Sequence, residues 1–152
     1  MKKITFVAIL GFLMAACGGG NSHAIDSTIS KDTANPSYDP NRGEGKFKDV
    51  VVTGAIDKTM AEKGFKTYGL KCSSCHKTTE EKLVGPGWKG VTSRYSAAWI
   101  MNFITNPDVM LNKDPKAQAQ LEICLVRMPN QNLADGDARE LYEFMRKNDG
   151  IK

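Results

Sequence analysis

Two cysteines and a histidine lie within five consecutive residues near the middle of the chain, and they restrict its fold more than any other feature. The segment reads Cys72-Ser73-Ser74-Cys75-His76. Cysteines with this spacing form thioethers to the two vinyl groups of one haem, and the imidazole of the next residue reaches the iron. The segment therefore predicts one covalently attached haem c.

Two other sites use a pair of cysteines separated by two residues. A redox dithiol leaves the adjacent histidine unexplained, and a zinc site needs a second cysteine pair, which the chain lacks. Haem attachment is therefore the preferred interpretation. Cys124 then has no disulfide partner, and we expect it to be a small buried hydrophobic residue, with dimerisation through it as the alternative.

The N-terminus has the pattern of an export signal. Lys2 and Lys3 precede an uncharged apolar stretch over residues 4–16, which is too short to span a bilayer comfortably. A permanent membrane helix is the alternative. The run Leu13-Met14-Ala15-Ala16-Cys17 resembles a bacterial lipobox, with Met14 in place of the usual leucine. This run predicts cleavage after residue 16 and acylation of Cys17. The acyl chains would hold the domain at the membrane, because each buried methylene contributes about 0.8 kcal/mol to membrane binding. An unmodified cysteine after simple secretion is the alternative.

Residues 17–45 are predicted to form the lipidated cysteine and a flexible tether. From Gly18 onward they are rich in Gly, Ser, Asn, Asp, Thr and Pro, and they have too few large apolar side chains to offset the entropy of ordering. The reach of such a tether is on the order of 30 Å. His23 lies in it and is expected to be solvated. The folded domain is predicted to cover residues 46–152.

The charge balance excludes one class of partner. Removing residues 1–16 takes two lysines from the 21 basic residues and leaves 19 against 17 acidic ones, which is too even for nucleic-acid binding. Eight basic residues occur between Lys58 and Arg94, so a local basic face is plausible there; an ordinary solvated helix face is the alternative.

Helical periodicity dominates the folded part, and strand-like alternation is nearly absent apart from the run at 50–52. Helices are predicted over 58–70, 97–105, 115–126 and 135–147, with a proline at 107 ending the second. Asp57 and Ser96 are suitable caps for the first two. The domain is therefore predicted to be all-α. Four short helices give a thin core for about 100 residues, which is consistent with a haem filling the middle.

Beyond the haem motif, the sequence resembles the class I mono-haem cytochrome c family over roughly residues 55–148. The matching positions are a glycine and an aromatic residue before the motif, two glycine-containing pairs with an intervening tryptophan after it, and a later Met-Pro pair: Gly64, Tyr68, Gly85-Pro86, Trp88, Gly90-Val91 and Met128-Pro129. The resemblance implies a cytochrome c-like fold in which three to five short helices surround one haem. Ala134 departs from the family, which often has a Ser or Thr cap there.

The resemblance also implies roles for individual residues. Cys72 and Cys75 would be the thioether anchors, His76 the proximal ligand and Met128 the sixth ligand, with the carbonyl of Pro86 accepting the free ring N–H of His76.

Met101 and Met110 are other candidates for the sixth ligand. Met101 lies within a predicted helix beside apolar residues, and Met110 lies in a predicted loop. Met128 is favoured because Pro129 stiffens a loop between two helices. Trp88 and Trp99 are expected either to pack on the porphyrin or to belong to the ordinary core.

These features predict a single-electron carrier rather than an enzyme, because two protein ligands leave no open position on the iron. We expect a monomer, anchored on the periplasmic side of a bacterial membrane, that shuttles electrons between a respiratory donor and a terminal reductase or oxidase. The alternatives are a fixed haem subunit of a larger respiratory complex, and a haem enzyme or gas sensor with a labile sixth ligand.

Overall fold

The computed structural model describes residues 38–152, and this part of the chain is all-α, as the sequence predicts. Its helices are α1 Lys58–Lys71, α2 Val91–Arg94, α3 Ala97–Thr105, α4 Pro107–Lys113, α5 Pro115–Cys124 and α6 Asp135–Asn148. Within the same residues, strand-type pairing is limited to two isolated bridges. The valine run at 50–52 is irregular. Helix α2 is a single turn that the periodicity did not indicate.

Proline 107 begins a helix instead of only ending one. Helix α3 ends at Thr105, as predicted, but Pro107 is the first residue of α4, which the sequence analysis missed. Proline is tolerated at this position because its absent N–H would have no partner in the first turn of a helix. The loop predicted around Met110 is therefore helical.

The ends of α5 and α6 depend on their caps. Helix α5 stops at Cys124, two residues before the predicted end, because Leu125 adopts a left-handed conformation with φ of 61°. Helix α6 begins at Asp135, as predicted, although Ala134 has no side-chain acceptor. The carboxylate of Asp137 instead accepts a hydrogen bond from the Ala134 N–H at 3.2 Å.

Helices α1 and α6 cross closely and form the main packing contact of the domain. A Cβ at Gly64 would collide with the backbone of Glu140, so only glycine permits this approach. Aromatic rings of both helices pack beside the crossing: Tyr68 lies 5.3 Å from Phe144 and 5.0 Å from Trp88, measured between ring centroids. The crossing therefore fixes the end of α1, where the haem motif begins.

Residues 38–47, which we call the strap, pack against α3, α4 and α5. Tyr38 donates a hydrogen bond to the buried Asp114 at 2.6 Å, and the Glu44 N–H donates to the sulfur of Met110 at 3.1 Å. The buried Asn102 bonds both the N–H and the carbonyl of Phe47 at 2.9 Å. The composition placed residues 38–45 in the tether, but these contacts join them to the helical domain.

Several features of the N-terminus lie outside the described residues, namely the export signal, Cys17, His23 and the remainder of the tether. Across residues 38–152, no helix is both long enough and apolar enough to cross a membrane.

Candidate haem site

The end of α1 presents the haem motif as a tight turn. The N–H of Cys72 caps α1 on Tyr68, and the N–H groups of Cys75 and His76 both donate to the carbonyl of Cys72, at 3.0 and 2.9 Å. The hydroxyl of Tyr68 donates to the His76 carbonyl at 2.7 Å. The spacing of the two cysteines and the histidine is therefore held by backbone hydrogen bonds within one turn.

The imidazole of His76 is oriented by the loop that follows the motif. Its Nδ1 lies 2.9 Å from the carbonyl oxygen of Pro86, and in the tautomer that donates this hydrogen bond Nε2 remains available as a ligand. Burial lowers the pKa of His76, which favours the neutral imidazole that a metal requires. A Cβ at Gly85 would lie 2.7 Å from Nδ1, so the loop reaches the ring only with glycine there.

The environment of Cys72 does not suit a redox dithiol. Its side chain is buried, and burial raises the pKa of the thiol to about 11. Reactive dithiols rely on a thiolate with a lowered pKa, so the alternative that we considered from the sequence is disfavoured. Cys72 and Cys75 are both free rather than joined in a disulfide.

Two mainly apolar cavities, both partly open to solvent, adjoin the motif. Five residues line both: His76, Pro86, Phe103, Gln120 and Met128. Cys75 lines the first cavity, and Trp88 and Trp99 line the second. The structure thus brings most of the predicted site residues to one region, with His76 and Met128 where the two cavities meet.

The three candidate methionines have different surroundings. Met128 is half-buried and lines both cavities, whereas Met101 and Met110 line neither. Met110 is completely buried, and its sulfur already accepts the hydrogen bond from Glu44. Met145 of α6 lines the second cavity, although the sequence analysis did not consider it.

Other cavity residues also escaped the sequence analysis. Phe103 and Gln120 line both cavities, and Gln120 donates a hydrogen bond to the hydroxyl of Tyr95 at 2.7 Å. Cys124 is half-buried and lines the first cavity, whereas the sequence predicted that it would be buried as a small hydrophobic residue. No local signal marks these residues, because Phe103 belongs to α3 whereas Gln120 and Cys124 belong to α5, and only the folded chain brings them to one cavity.

Basic side chains lie at the edge of this region. Lys82 donates to the carbonyl of Ile123 at 2.7 Å, and Lys89 donates to that of Asn148 at 2.8 Å. Together with Arg94 they line a third cavity, which also includes Cys124. The two lysines bond carbonyl oxygens rather than carboxylates, so part of the predicted basic face borders the haem site.

The donor set and the walls of the site fit a covalent haem. Two free thiols and an oriented imidazole lie in one turn, a thioether sulfur borders the same cavities, and the walls are mostly apolar. A flat apolar macrocycle requires walls of this kind, and iron requires the nitrogen and sulfur donors.

Comparison with protein families agrees with this chemistry. The family model described as cytochrome c matches residues 61–149, more than half of the chain. The chain belongs to the cytochrome c family. As a class I cytochrome c with a single attachment motif, it carries one covalent c-type haem.

Solved structures support the same assignment for this cytochrome c. A cytochrome c from Rhodothermus marinus is 27% identical, with a TM-score of 0.68, over 71% of this chain and 92% of that chain. An engineered form of the Rhodothermus marinus protein is also 27% identical, with a TM-score of 0.66, over 69% and 90% of the two chains. A further structure of the engineered form contains a carbene intermediate and has a TM-score of 0.63. No curated protein sequence matches the chain significantly.

Proposed function

We propose that this cytochrome c is a single-electron carrier whose haem iron is held by His76 and Met128. The haem supplies a one-electron couple between ferric and ferrous iron. The weakly donating thioether of Met128 would favour the ferrous state and so raise the reduction potential. With His76 and Met128 both holding the iron, no position would remain open for a substrate.

The other residues of the site hold and shield the group. Cys72 and Cys75 would form the two thioether bonds, and the Pro86 carbonyl keeps the imidazole of His76 in one orientation through its Nδ1 hydrogen bond. Trp88 is buried, with its ring 5.5 Å from that of His76, and forms part of an apolar wall. Such walls exclude water and limit the reorganisation that accompanies a change of charge.

The placement of Met128 carries the proposal. It borders both cavities together with His76, whereas Met101 and Met110 are buried elsewhere. A methionine in the core fills space, but one that lines the same cavities as an oriented imidazole is a candidate ligand. The sequence favoured the same residue for its Met-Pro pair.

The test is the optical spectrum of the ferrous holoprotein before and after addition of carbon monoxide. We expect no change for the wild type and a marked shift for Met128→Ala, because removal of the thioether opens the iron. Met101→Leu is the matched control, since it changes a buried methionine outside the cavities and should stay closed. Ready binding by the wild type would contradict the proposal.

A second candidate function is haem chemistry at an iron that opens to an external ligand. The observation in its favour is the engineered Rhodothermus marinus cytochrome c, which was solved with a carbene intermediate bound. The same experiment separates the two candidates, because an enzyme or gas sensor would bind carbon monoxide without any substitution. A closed wild-type iron would favour the carrier.

We place the carrier on the periplasmic side of a bacterial membrane, attached through acylated Cys17. The support is the export pattern and the lipobox-like run before Cys17. In cells that process lipoproteins, Cys17→Ala should move the haem protein from the membrane fraction to the soluble fraction. An unchanged distribution would refute anchoring through this residue.

Its partners would be a respiratory donor and a terminal reductase or oxidase, docking briefly at the haem site. Lys82, Lys89 and Arg94 border that site, which favours partners with an acidic surface. Electron-transfer rates with such a partner should fall as salt is raised, and Lys82→Gln should weaken the salt dependence. A rate that is independent of salt would contradict charge steering. Co-purification with other subunits would instead indicate a fixed haem subunit.

A further inference from the structure

Four polar or charged side chains are buried in the described part of the chain, and each helps to hold the segment that precedes α1. They are Asn102, Asp114, Glu143 and Arg146. Arg146 donates to the carbonyls of Thr53, Gly54 and Ala55, and Glu143 pairs with Arg146. Asn102 and Asp114 bond the strap. This segment lies outside residues 61–149, which match the family model.

Asp114 is the member of this set that hydrogen-bonds a residue of the haem site, because its partner Trp99 lines the second cavity. Its carboxylate accepts hydrogen bonds from the hydroxyl of Tyr38 at 2.6 Å, the indole N–H of Trp99 at 3.0 Å and the N–H of Ala117 at 2.8 Å. All three partners donate, which suits an ionised carboxylate. Because the group is fully buried, loss of a donor leaves an acceptor that water does not reach.

Asp114 also caps the N-terminus of α5 through its bond to Ala117. Along this helix, only Ala117 is fully buried, so α5 has little core packing of its own. Its principal neighbour among the helices is α4, whose Met110 accepts the N–H of Glu44. The strap therefore contacts the corner between α4 and α5 through Tyr38 and Glu44, beside the hydrogen bond from Trp99 of α3.

The far end of α5 leads directly to the sixth-ligand candidate. Gln120 and Cys124 line the first cavity, and three residues separate Cys124 from Met128. A rotation of α5 about its N-terminal corner would move that cavity wall and the loop with it. The position of Met128 thus depends on the corner that the strap contacts.

We propose that Asp114, held by Tyr38 of the strap, is a positioning residue that fixes α5 and so keeps Met128 directed at the haem site. This inference rests on the proposed ligation by His76 and Met128. It assigns the strap a function in controlling access to the iron, in addition to any contribution to stability.

The test compares full-length holoproteins that carry Tyr38→Phe or Asp114→Asn. The first removes one hydroxyl and leaves the cap on α5. The second preserves the shape of the side chain but replaces one of its two acceptor oxygens with an NH2 group. That group cannot accept a hydrogen bond from the donors that surround it. Two signals are read: the ferric charge-transfer band of methionine-ligated haem and the rate of carbon monoxide binding to the ferrous protein. That rate reports how often Met128 leaves the iron.

We expect both variants to show the carbon monoxide shift that the closed wild type does not show, and to weaken the charge-transfer band, with unchanged helix content. Tyr142→Phe is the matched control, because it removes a hydroxyl from a buried tyrosine of α6 and should leave both signals unchanged. If Asp114→Asn does not fold, Tyr38→Phe remains the decisive variant.

The possible results separate this inference from the proposed function. If the wild type is closed to carbon monoxide and both variants are equally closed, the positioning role is wrong while the ligation stands. A rise of the same size in Tyr142→Phe would indicate general loosening and would also overturn the positioning role. If the wild type binds as fast as Met128→Ala, the ligation is wrong and this inference fails with it.

Discussion

Replacing Gly64 with alanine tests the close crossing of α1 and α6. The added Cβ would lie 2.5 Å from the carbonyl carbon of Glu140 and 2.9 Å from the nitrogen of Leu141, and it would also collide with the Glu140 oxygen. Ordinary carbon contacts begin at about 3.5 Å, so the helices must separate by about 1 Å. The obstructing atoms belong to the backbone, and no side-chain rotation relieves the overlap.

The magnitude follows from two opposing effects. Overpacking of a core costs about 1–3 kcal/mol, and separation of the helices also loosens Tyr68 against Phe144. Alanine inside a helix recovers about 0.5–1 kcal/mol relative to glycine. We expect a net loss of about 1 kcal/mol in the free energy of unfolding, which corresponds to a fall of roughly 5 °C in Tm for a domain of this size.

The chain offers a matched control in the same helix. A Cβ at Gly69 would meet nothing within 4 Å, so Gly69→Ala should raise stability by about 0.5–1 kcal/mol. Thermal unfolding of the ferric holoproteins, followed by far-ultraviolet circular dichroism, measures both variants. If Gly64→Ala unfolds at the wild-type temperature or above it, the close crossing does not limit stability and the argument is refuted.

Three further predictions concern other parts of the domain. Gly85→Ala places a Cβ 2.7 Å from Nδ1 of His76 and should displace the imidazole that would hold the iron, which an altered ferric spectrum would report. An unchanged spectrum would show that the loop moves away from the ring instead. Glu143→Gln leaves the buried Arg146 without its anion and should lower the free energy of unfolding, measured in urea, by about 3 kcal/mol. A decrease of less than about 1 kcal/mol would contradict this. Burial, reinforced by a carboxylate hydrogen bond, raises the pKa of Tyr38 above its ordinary 10.0. Its contribution to stability is therefore complete below pH 10.0 and declines at higher pH, so the stability difference between wild type and Tyr38→Phe should narrow there. A constant difference would refute the linkage.

Much of the fold was predictable because its signals are local. The boundaries of α3 follow from the Ser96 cap and the proline at 107, and α6 starts where its amphipathic pattern starts. The missed helix α4 shows the limit of this approach. A proline that ends one helix is also a favourable first residue for the next, and the sequence around it does not say which role applies.

The haem motif and the family were evident from the sequence alone, because the residues that attach a c-type haem are contiguous and their spacing encodes the chemistry. The sequence also suggested that Pro86 would orient His76, and a distance of 2.9 Å joins the carbonyl and the ring nitrogen. Only the tertiary structure showed that the sulfur of Met110 accepts a hydrogen bond from the Glu44 N–H, whereas Met128 borders both cavities. It also showed that residues 38–45 join the domain. The Glu44–Met110 and Tyr38–Asp114 contacts connect residues 66 and 76 positions apart along the chain. The partner of a buried polar group at that separation is decided by packing, which no local pattern records.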